Sequence, residues 1–180
     1  MRLNREDWLI KGLALLQKHG PEYLTLERLC LALKVTKGSF YHHFSGRDNY
    51  IEALMIYWRE QHTEAIMKAA NQFADAPTQS IKISELARGA NQAIENAIRA
   101  WARRDKKIAN HLQAVDKARI DYLANLIARQ TPEHTDAELI AKLVYAHFVG
   151  VQQLGGIISK DEWQAMDKLL MALLLEPAAP

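Results

Sequence analysis

The stretch Thr25–Phe44, TLERLCLALKVTKGSFYHHF, decides how this chain is read. Behind Thr25, whose hydroxyl suits the N-cap of a helix, Leu26, Leu29, Cys30 and Leu33 recur at helical spacing. After Lys34 and Val35, Thr36 can cap a further helix in which Phe40 and Phe44 lie four apart and face inward. Lys37, Ser39, Tyr41 and His42 then fall largely on its other faces. Two short helices joined by about three residues, the second exposing small polar and basic side chains from its first turn, have the pattern of a helix-turn-helix.

Double-stranded DNA accounts for these residue types. A helix entering the major groove needs small residues at its start, so that its backbone comes close and its free amides and positive dipole end meet phosphate. Thr36, Lys37, Gly38 and Ser39 meet that demand. Glycine inside a helix costs ~1 kcal/mol relative to alanine, and close backbone approach is a reason to carry Gly38. Tyr41, His42 and Arg47 offer a phenol, an imidazole and a guanidinium that can hold phosphate oxygens, while side chains nearer the helix start read base edges.

Outward from this segment, helix signals dominate, with no run of period-two alternation and no Asn-Gly or Asp-Gly hairpin turn, so the expected fold is all-α with about nine helices. A first helix is expected over Arg5–His19, with Trp8, Leu9, Leu13 and Leu16 on one face and Gly20-Pro21 as its stop. Asp48 is expected to cap a long helix reaching Phe73 and carrying Ile51, Leu54, Met55, Trp58 and Ile66. Ala74–Ser80 reads as a loop, followed by helices over Ile81–Arg103, Lys106–Gln113 and Val115–Gln130, and a second loop over Thr131–His134. Thr135-Asp136-Ala137-Glu138 and Ser159-Lys160-Asp161-Glu162 have the reciprocal capping-box pattern and open the last two helices. The tail Glu176–Pro180 cannot continue a helix and is expected to be disordered.

The 180 residues are 49% hydrophobic and 24% charged, enough to bury a core in one or two small domains and unlike a collagenous, mucin-like or wholly disordered chain. No apolar stretch approaches the ~18 to 20 residues of a membrane span, and residues 1–8 lack the apolar core of a secretory signal, so a soluble cytoplasmic protein without membrane association is expected. Cys30 is the one cysteine, which excludes an intramolecular disulfide and a thiolate metal cluster; no cofactor is expected. The net charge of +2 conceals an asymmetry: residues 1–49 hold eight basic and five acidic groups, +3, whereas the remainder holds 15 and 16, −1. The positive segment is the one with the helix-turn-helix pattern, which is compatible with a polyanion contact.

Between Asp136 and Gly155, Leu139, Leu143, Val144, Phe148, Val151 and Leu154 form a broad apolar surface, and Gly150 permits close helix approach. The last helix adds Trp163, Met166, Leu169, Leu170, Leu173 and Leu174. Both helices are apolar over more than one face, which points to a symmetric dimer, the alternative being the central core of a monomer. Trp58, Trp101, Ile108, His111, Leu112, Tyr122, His147 and Phe148 mix aromatic bodies with few polar groups, as small-molecule pockets do. Each of these aromatics can equally be core, and each histidine a hydrogen-bonded structural residue. With no glycine-rich phosphate loop, such a pocket favours an apolar or aromatic effector over a sugar phosphate.

The run Thr25–Phe44, followed by Arg47-Asp48, resembles the DNA-binding domain of TetR-family transcriptional regulators. Its Val35–Phe44 segment, VTKGSFYHHF, is the most diagnostic part, and Leu16–Thr25 resembles that domain's first helix and connecting turn. Weaker similarity continues through Ala100–Asp105, Val115-Asp116 with Arg119 and Tyr122-Leu123, and Tyr145–Gly155. The resemblance implies a DNA-binding domain over residues 1–47 and an effector-binding and dimerisation domain over 48–180. It further implies a homodimer whose last two long helices pair into a four-helix bundle, acting as a ligand-responsive repressor on a palindromic operator. It assigns DNA contact to Thr25, Thr36, Lys37, Gly38, Ser39, Tyr41, His42 and His43. Arg47 stands where the family usually has a phosphate-gripping lysine; arginine keeps the charge and adds a planar fork. Lys34 departs from the glycine usual in that turn, where φ is often positive, so roughly 1 kcal/mol of strain is expected there. Cys30 reads as a small buried hydrophobe, not a redox sensor.

Two other readings of the residues stand beside this one. His111, Asp116, Asp121 and His147 could converge into a metal-dependent hydrolase or metal sensor, although no HExxH, GxSxG or P-loop accompanies them, and the adjacent His42 and His43 point in different directions. Alternatively the chain is a helical protein-interaction module whose helix-turn-helix no longer binds DNA. The intact set Lys37, Tyr41, His42 and Arg47 weighs against that, and the overall expectation is a non-enzymatic regulator.

Overall fold

The chain begins its first helix at a reciprocal cap. In the computed structural model, which describes residues 3–131 and 136–175, the Asn4 side chain accepts from the Asp7 amide at 2.9 Å while the Asp7 carboxylate accepts from the Asn4 amide at 2.7 Å. Helix α1 runs Arg5–His19, buries Trp8, Leu9, Leu13 and Leu16, and stops at Gly20, whose φ of 81° only glycine adopts freely. A 3₁₀ turn, Pro21–Tyr23, leads into α2, Leu26–Leu33, capped by Thr25 Oγ1 accepting from the Arg28 amide at 3.3 Å. Helix α2 ends on Lys34 in the left-handed region, φ 57° and ψ 45°, the one positive-φ residue other than glycine among the described residues. The turn closes with the Val35 amide donating to the Cys30 carbonyl at 3.0 Å, and α3, Lys37–His43, follows.

Helix α4 runs Arg47–Arg59. Its N-cap is Gly46, not Asp48 as expected; Asp48 is the second helical residue, where its charge faces the amide end of the dipole without closing a cap bond. The long helix expected to reach Phe73 ends at Ala70: a π-helical turn, Glu60–Glu64, follows α4, and α5, Ala65–Ala70, continues from it. The loop expected over Ala74–Ser80 is shorter, because Asp75 caps α6, Ala76–Gly89, by accepting from the Thr78 amide at 2.8 Å, and proline is tolerated in a first helical turn where its missing N–H would have no partner. One expected helix divides into α6 and α7, Gln92–Ala102, at Ala90 and Asn91, the Asn91 side chain accepting from the Ala93 amide. Two expected helices fuse into the 25-residue α8, Lys106–Gln130, since Gln113-Ala114-Val115 contains no residue that breaks a helix. Helices α9, Ala137–Leu154, and α10, Lys160–Leu175, complete the fold. Ser159 and Glu162 make the expected capping box, at 2.8 and 3.2 Å. Thr135 of the other box, residues 132–134 of the expected loop, and the tail Glu176–Pro180 lie outside the described residues. With α4, the π turn and α5 taken as one helical path, the described residues form nine helices and no strand.

Two compact units result: Met1–Ala65 with Asn91–Ala114, and Ile66–Ala90 with Val115–Pro180. The core of the first is aromatic. Trp8 meets Phe40 edge-on at 5.4 Å, and Phe44 lies 5.2 Å from Phe40 and 5.0 Å from Tyr50. Offset and edge-on pairs of this kind contribute about 0.5–1.5 kcal/mol each beyond burial. Tyr50 Oη donates to the Trp8 carbonyl at 2.9 Å, and burial pushes its phenol well above the usual range. That approach requires Gly12, because a Cβ there would stand 1.9 Å from Tyr50 Oη. The second unit has a smaller aliphatic core around Ile127, Ile140 and Ala141, with Ile120, Leu123, Val144 and Leu174 packed on it.

Candidate DNA-recognition surface

The aromatic core fixes α3 through its inward residues, Phe40 within the helix and Phe44 just after it, both 2% exposed. Everything the sequence nominates for recognition stands on what remains outside. Thr36 occupies the N-cap position of α3 with extended backbone, but its hydroxyl makes no cap bond, unlike that of Thr25. Lys37 and Gly38 are exposed and Ser39 half-buried on the first turn. A Cβ on Gly38 would meet nothing nearer than Thr36 Oγ1 at 3.7 Å, so no contact inside the protein requires glycine there. Tyr41 is 58% exposed with its ring edge-on to Phe40, His42 is exposed, and His43 is half-buried with its ring 5.0 Å from that of His42.

Two contacts order this surface that local sequence reasoning missed. Lys37 Nζ donates to Glu27 Oε1 at 2.6 Å, linking the first turns of α2 and α3; the pairing raises the ammonium above its ordinary value and lowers the carboxylate. Arg47 Nε donates to the Leu24 carbonyl at 3.2 Å, tying the start of α4 to the chain just ahead of Thr25, while the residue itself stays exposed. Thr25, Glu27, Tyr41 and Arg47 thereby share the rim of one open cleft of about 240 Å³. Both contacts join residues ten or more positions apart, and no periodicity signals them. Cys30 is buried, and burial pushes its thiol up.

The residues nominated for an effector divide between the units. Trp58, Trp101 and Ile108 are buried in the first, where Leu112 is half-buried and His111 Nε2 lies 3.0 Å from Glu52. In the second, Tyr122 donates to Asn71 at 2.7 Å, His147 Nε2 lies 3.0 Å from Asp167, and the Phe148 ring sits between those of Tyr145 and Trp163. Asp167 also pairs with Arg88. Asp116 accepts from Tyr145 at 2.6 Å and Asp121 pairs with Lys117, so each of the four residues weighed for a metal has its own partner. No group of three His, Cys, Asp or Glu among the described residues is placed to hold a metal ion.

The residues nominated for dimerisation fall into two sets. Leu139, Leu143, Leu154 and Met166 are exposed, and a Cβ at Gly150 would meet only open space; Val151 and Trp163 are buried, and Val144, Leu170 and Leu174 are partly buried. The exposed set extends through Leu169 and Leu173 along α10. No helix of the described residues is long and apolar enough to cross a membrane.

Residues 10–54 match the family model for bacterial regulatory proteins of the tetR family. Three solved structures share the fold over nearly the whole chain. A protein from Pseudomonas aeruginosa PAO1 described as a transcriptional regulator superposes with a TM-score of 0.78 at 17% identity, over 96% of this chain and 92% of its own. A TetR-like transcriptional regulator from Rhodococcus sp. RHA1 gives 0.74 at 18%, over 98% and 100%. A regulator from Saccharomonospora viridis, solved in complex with choline, gives 0.76 at 14%, over 96% and 95%. Comparison with curated protein sequences gives no match. Residues 10–54, which span the helix-turn-helix, are therefore similar to the bacterial tetR regulatory family, and the chain shares the all-helical fold of these solved structures.

Proposed function

We propose that the chain is a ligand-responsive transcriptional repressor that binds a palindromic double-stranded operator as a homodimer in the cytoplasm. Residues 1–47 bind DNA, and residues 48–180 bind the effector and dimerise. The observation that carries the reading is the outer face of α3. Its first turn is small and basic, its glycine answers to no internal contact, and Tyr41, His42 and Arg47 flank it with exposed donors. In this reading Thr36, Lys37, Gly38 and Ser39 enter the major groove, while Thr25, Tyr41, His42, His43 and Arg47 hold backbone phosphates and register.

The exposed leucines of α9 and α10 support the dimer. Leu139, Leu143, Gly150 and Leu154 recur on one face of α9, and Met166, Leu169 and Leu173 on one face of α10, whose partner of matching chemistry is the same surface on a second copy. A dimer sets two α3 helices at a fixed spacing, which a palindrome mirrors. The choline held by the Saccharomonospora viridis protein supports a small organic effector, for which an aromatic-lined pocket is the expected receptor. Ligand binding alters the spacing of the two α3 helices and lowers operator affinity, a coupling of typically ~1–3 kcal/mol.

The test is titration of the purified protein against the DNA flanking its own coding region, with non-specific competitor, beside Lys37→Ala/Tyr41→Ala. A saturable, salt-sensitive shift that the double variant loses is the expected result. Absence of any DNA affinity at low salt would falsify the reading and favour a protein-interaction module.

A further inference from the structure

The turn between α7 and α8 carries four cations in five residues: Arg103, Arg104, Lys106 and Lys107, interrupted only by Asp105. All four are exposed. The Asp105 carboxylate is turned to the backbone, accepting from the Lys107 amide at 2.9 Å and the Ile108 amide at 3.3 Å as the cap of α8. Lys107 donates to Asp48 at 3.0 Å. Arg103, Arg104 and Lys106 have no ion-pair partner among the described residues, so three positive charges stand uncompensated on one turn.

The position of that turn follows from two contacts. Lys107 meets Asp48, and one helical turn later His111 meets Glu52 at 3.0 Å. Paired steps of four along both helices mean that the start of α8 runs beside the start of α4 in the same direction. The same register sets Lys106, the first residue of α8, level with Arg47, the first of α4, and Arg103 and Arg104 stand in the turn that leads directly into it. The basic turn thus enters α8 beside the end of α4 that holds phosphate in the function proposed above. The Lys107–Asp48 pair is too exposed to add much stability, with 78% and 80% of the side chains open to solvent, but it registers the two helices.

We propose that Arg103, Arg104 and Lys106 form a second DNA-backbone contact, engaging phosphates of the duplex flanking the segment that α3 reads. The partner is duplex phosphate and not a base edge: long, unpaired cations on a turn match a line of point charges, and nothing there is built to read sequence. The proposal rests on the DNA-binding reading and extends the footprint beyond the helix-turn-helix.

The full-length protein and a fluorescent duplex of arbitrary sequence test it by salt titration. Removing one cation from a phosphate reduces the slope of log K against log salt by about 0.9, so Arg103→Gln/Arg104→Gln/Lys106→Gln is expected to flatten the slope by about 2 to 3 per bound protomer and to weaken binding at least several-fold in low salt. Lys160→Gln/Lys168→Gln, which lowers net charge on α10, is expected to leave the slope unchanged. Circular dichroism melting verifies that both variants fold. Wild-type binding with the same slope in the triple variant overturns this proposal alone, as does an equal effect from the α10 variant, which would indicate net charge and not a contact. Loss of affinity for phosphatidylserine vesicles without a change in the DNA slope overturns it in favour of a membrane surface. A wild type without affinity for duplex at any salt overturns the DNA-binding reading and this proposal together.

Discussion

The first unit closes most of its apolar residues into an aromatic core, with Ile10 and Leu31 left singly outside, whereas α9 and α10 display leucines in a row. In the helix-turn-helix region Trp8, Leu16, Leu24, Tyr50 and Leu54 are wholly buried, and Lys37, Tyr41, His42 and Arg47 stand outside. On α9 and α10, Leu139, Leu143, Leu169 and Leu173 are between 48% and 67% exposed in a single copy. The contrast teaches what each region lacks. A small helical domain with a closed aromatic core is complete by itself and can spend its surface on a polar ligand. A pair of helices with one apolar face to the interior and another to solvent is incomplete until something covers it.

The sharpest way to break this comparison is to charge the open leucines. Leu143→Glu/Leu169→Glu is expected to leave the helical content and melting of a single copy nearly unchanged, since both side chains already face solvent, and to abolish dimerisation. Carboxylates buried without partners cost several kcal/mol, so the dissociation constant should rise by about a thousand-fold (about 4 kcal/mol) in sedimentation velocity experiments. A dimer that survives the double substitution places the interface elsewhere.

In the closed core, the corresponding point of failure is Gly12. Alanine normally stabilises a helix interior by roughly 0.5–1 kcal/mol over glycine, but here its Cβ would stand 1.9 Å from Tyr50 Oη and 3.1 Å from Leu54 Cδ1. Gly12→Ala is expected to destabilise the protein by about 1–3 kcal/mol, and Tyr50→Phe in the same chain to recover part of that stability by removing the obstructing oxygen. Thermal melts of the two single variants and the double variant decide it. Simple additivity would mean that glycine serves backbone entropy and not the approach of Tyr50.

The recognition surface is sharpened by Glu27→Gln. Glu27 holds Lys37 at 2.6 Å, and on a duplex of arbitrary sequence, where no base edge engages the lysine, it competes with phosphate for it, so the variant is expected to bind such a duplex several-fold more tightly, with a salt slope steeper by about 0.9. Weaker binding would mean that Glu27 positions the lysine and does not restrain it. Lys34→Gly addresses the strained turn beside it. Lysine at φ 57° carries the left-handed penalty of about 1–2 kcal/mol, and glycine removes it while gaining unfolded-state entropy. The net expectation is roughly 0.5–1 kcal/mol of added stability, a rise in Tm of about 1–4 °C, and an unchanged melt would show that the turn tolerates lysine without strain.

How much of this was legible in the sequence depended on whether the signal was local. The bounds Arg5–His19 follow from a four-residue apolar face and a Gly-Pro stop, and the positive φ at Lys34 follows from the resemblance of that turn. The Ser159–Glu162 box was readable because both partners lie within one turn. Where the sequence misleads, a plausible signal had no partner: Thr36 sits at a cap position without a cap bond, and Asp48 faces Lys107 instead of a free amide. Glu60–Glu64 has no proline or glycine to announce a π turn, and the contacts that order the recognition surface, Lys37 with Glu27 and Arg47 with the Leu24 carbonyl, exist only once the helices have packed.

The smallest expected effect separates the regions by pH. Helix α6 is capped by Asp75 and α10 by the Ser159–Glu162 box, and in both the carboxyl is lowered from its ordinary value, for Asp75 by the Thr78 amide and for Glu162 by hydrogen bonds with Ser159. A carboxyl whose folded value lies below its unfolded one stabilises the helix fully above the unfolded value, and that contribution disappears as pH falls through the folded value. The starts of α6 and α10 should therefore begin to fray below the ordinary values of 3.8 and 4.5. The cap of α2 is a neutral threonine hydroxyl, so acid reaches that helix only through the exposed Glu27–Lys37 pair and not through its cap bond. Amide exchange at decreasing pH, corrected for its intrinsic rate, should show protection falling at Thr78 and Glu162 while it persists at Arg28. Asp75→Asn, which keeps an oxygen acceptor but cannot titrate, should remove the acid dependence at α6 alone. Equal fraying of α2 would mean that acid loosens the whole protein and that the difference lies in global stability and not in the caps.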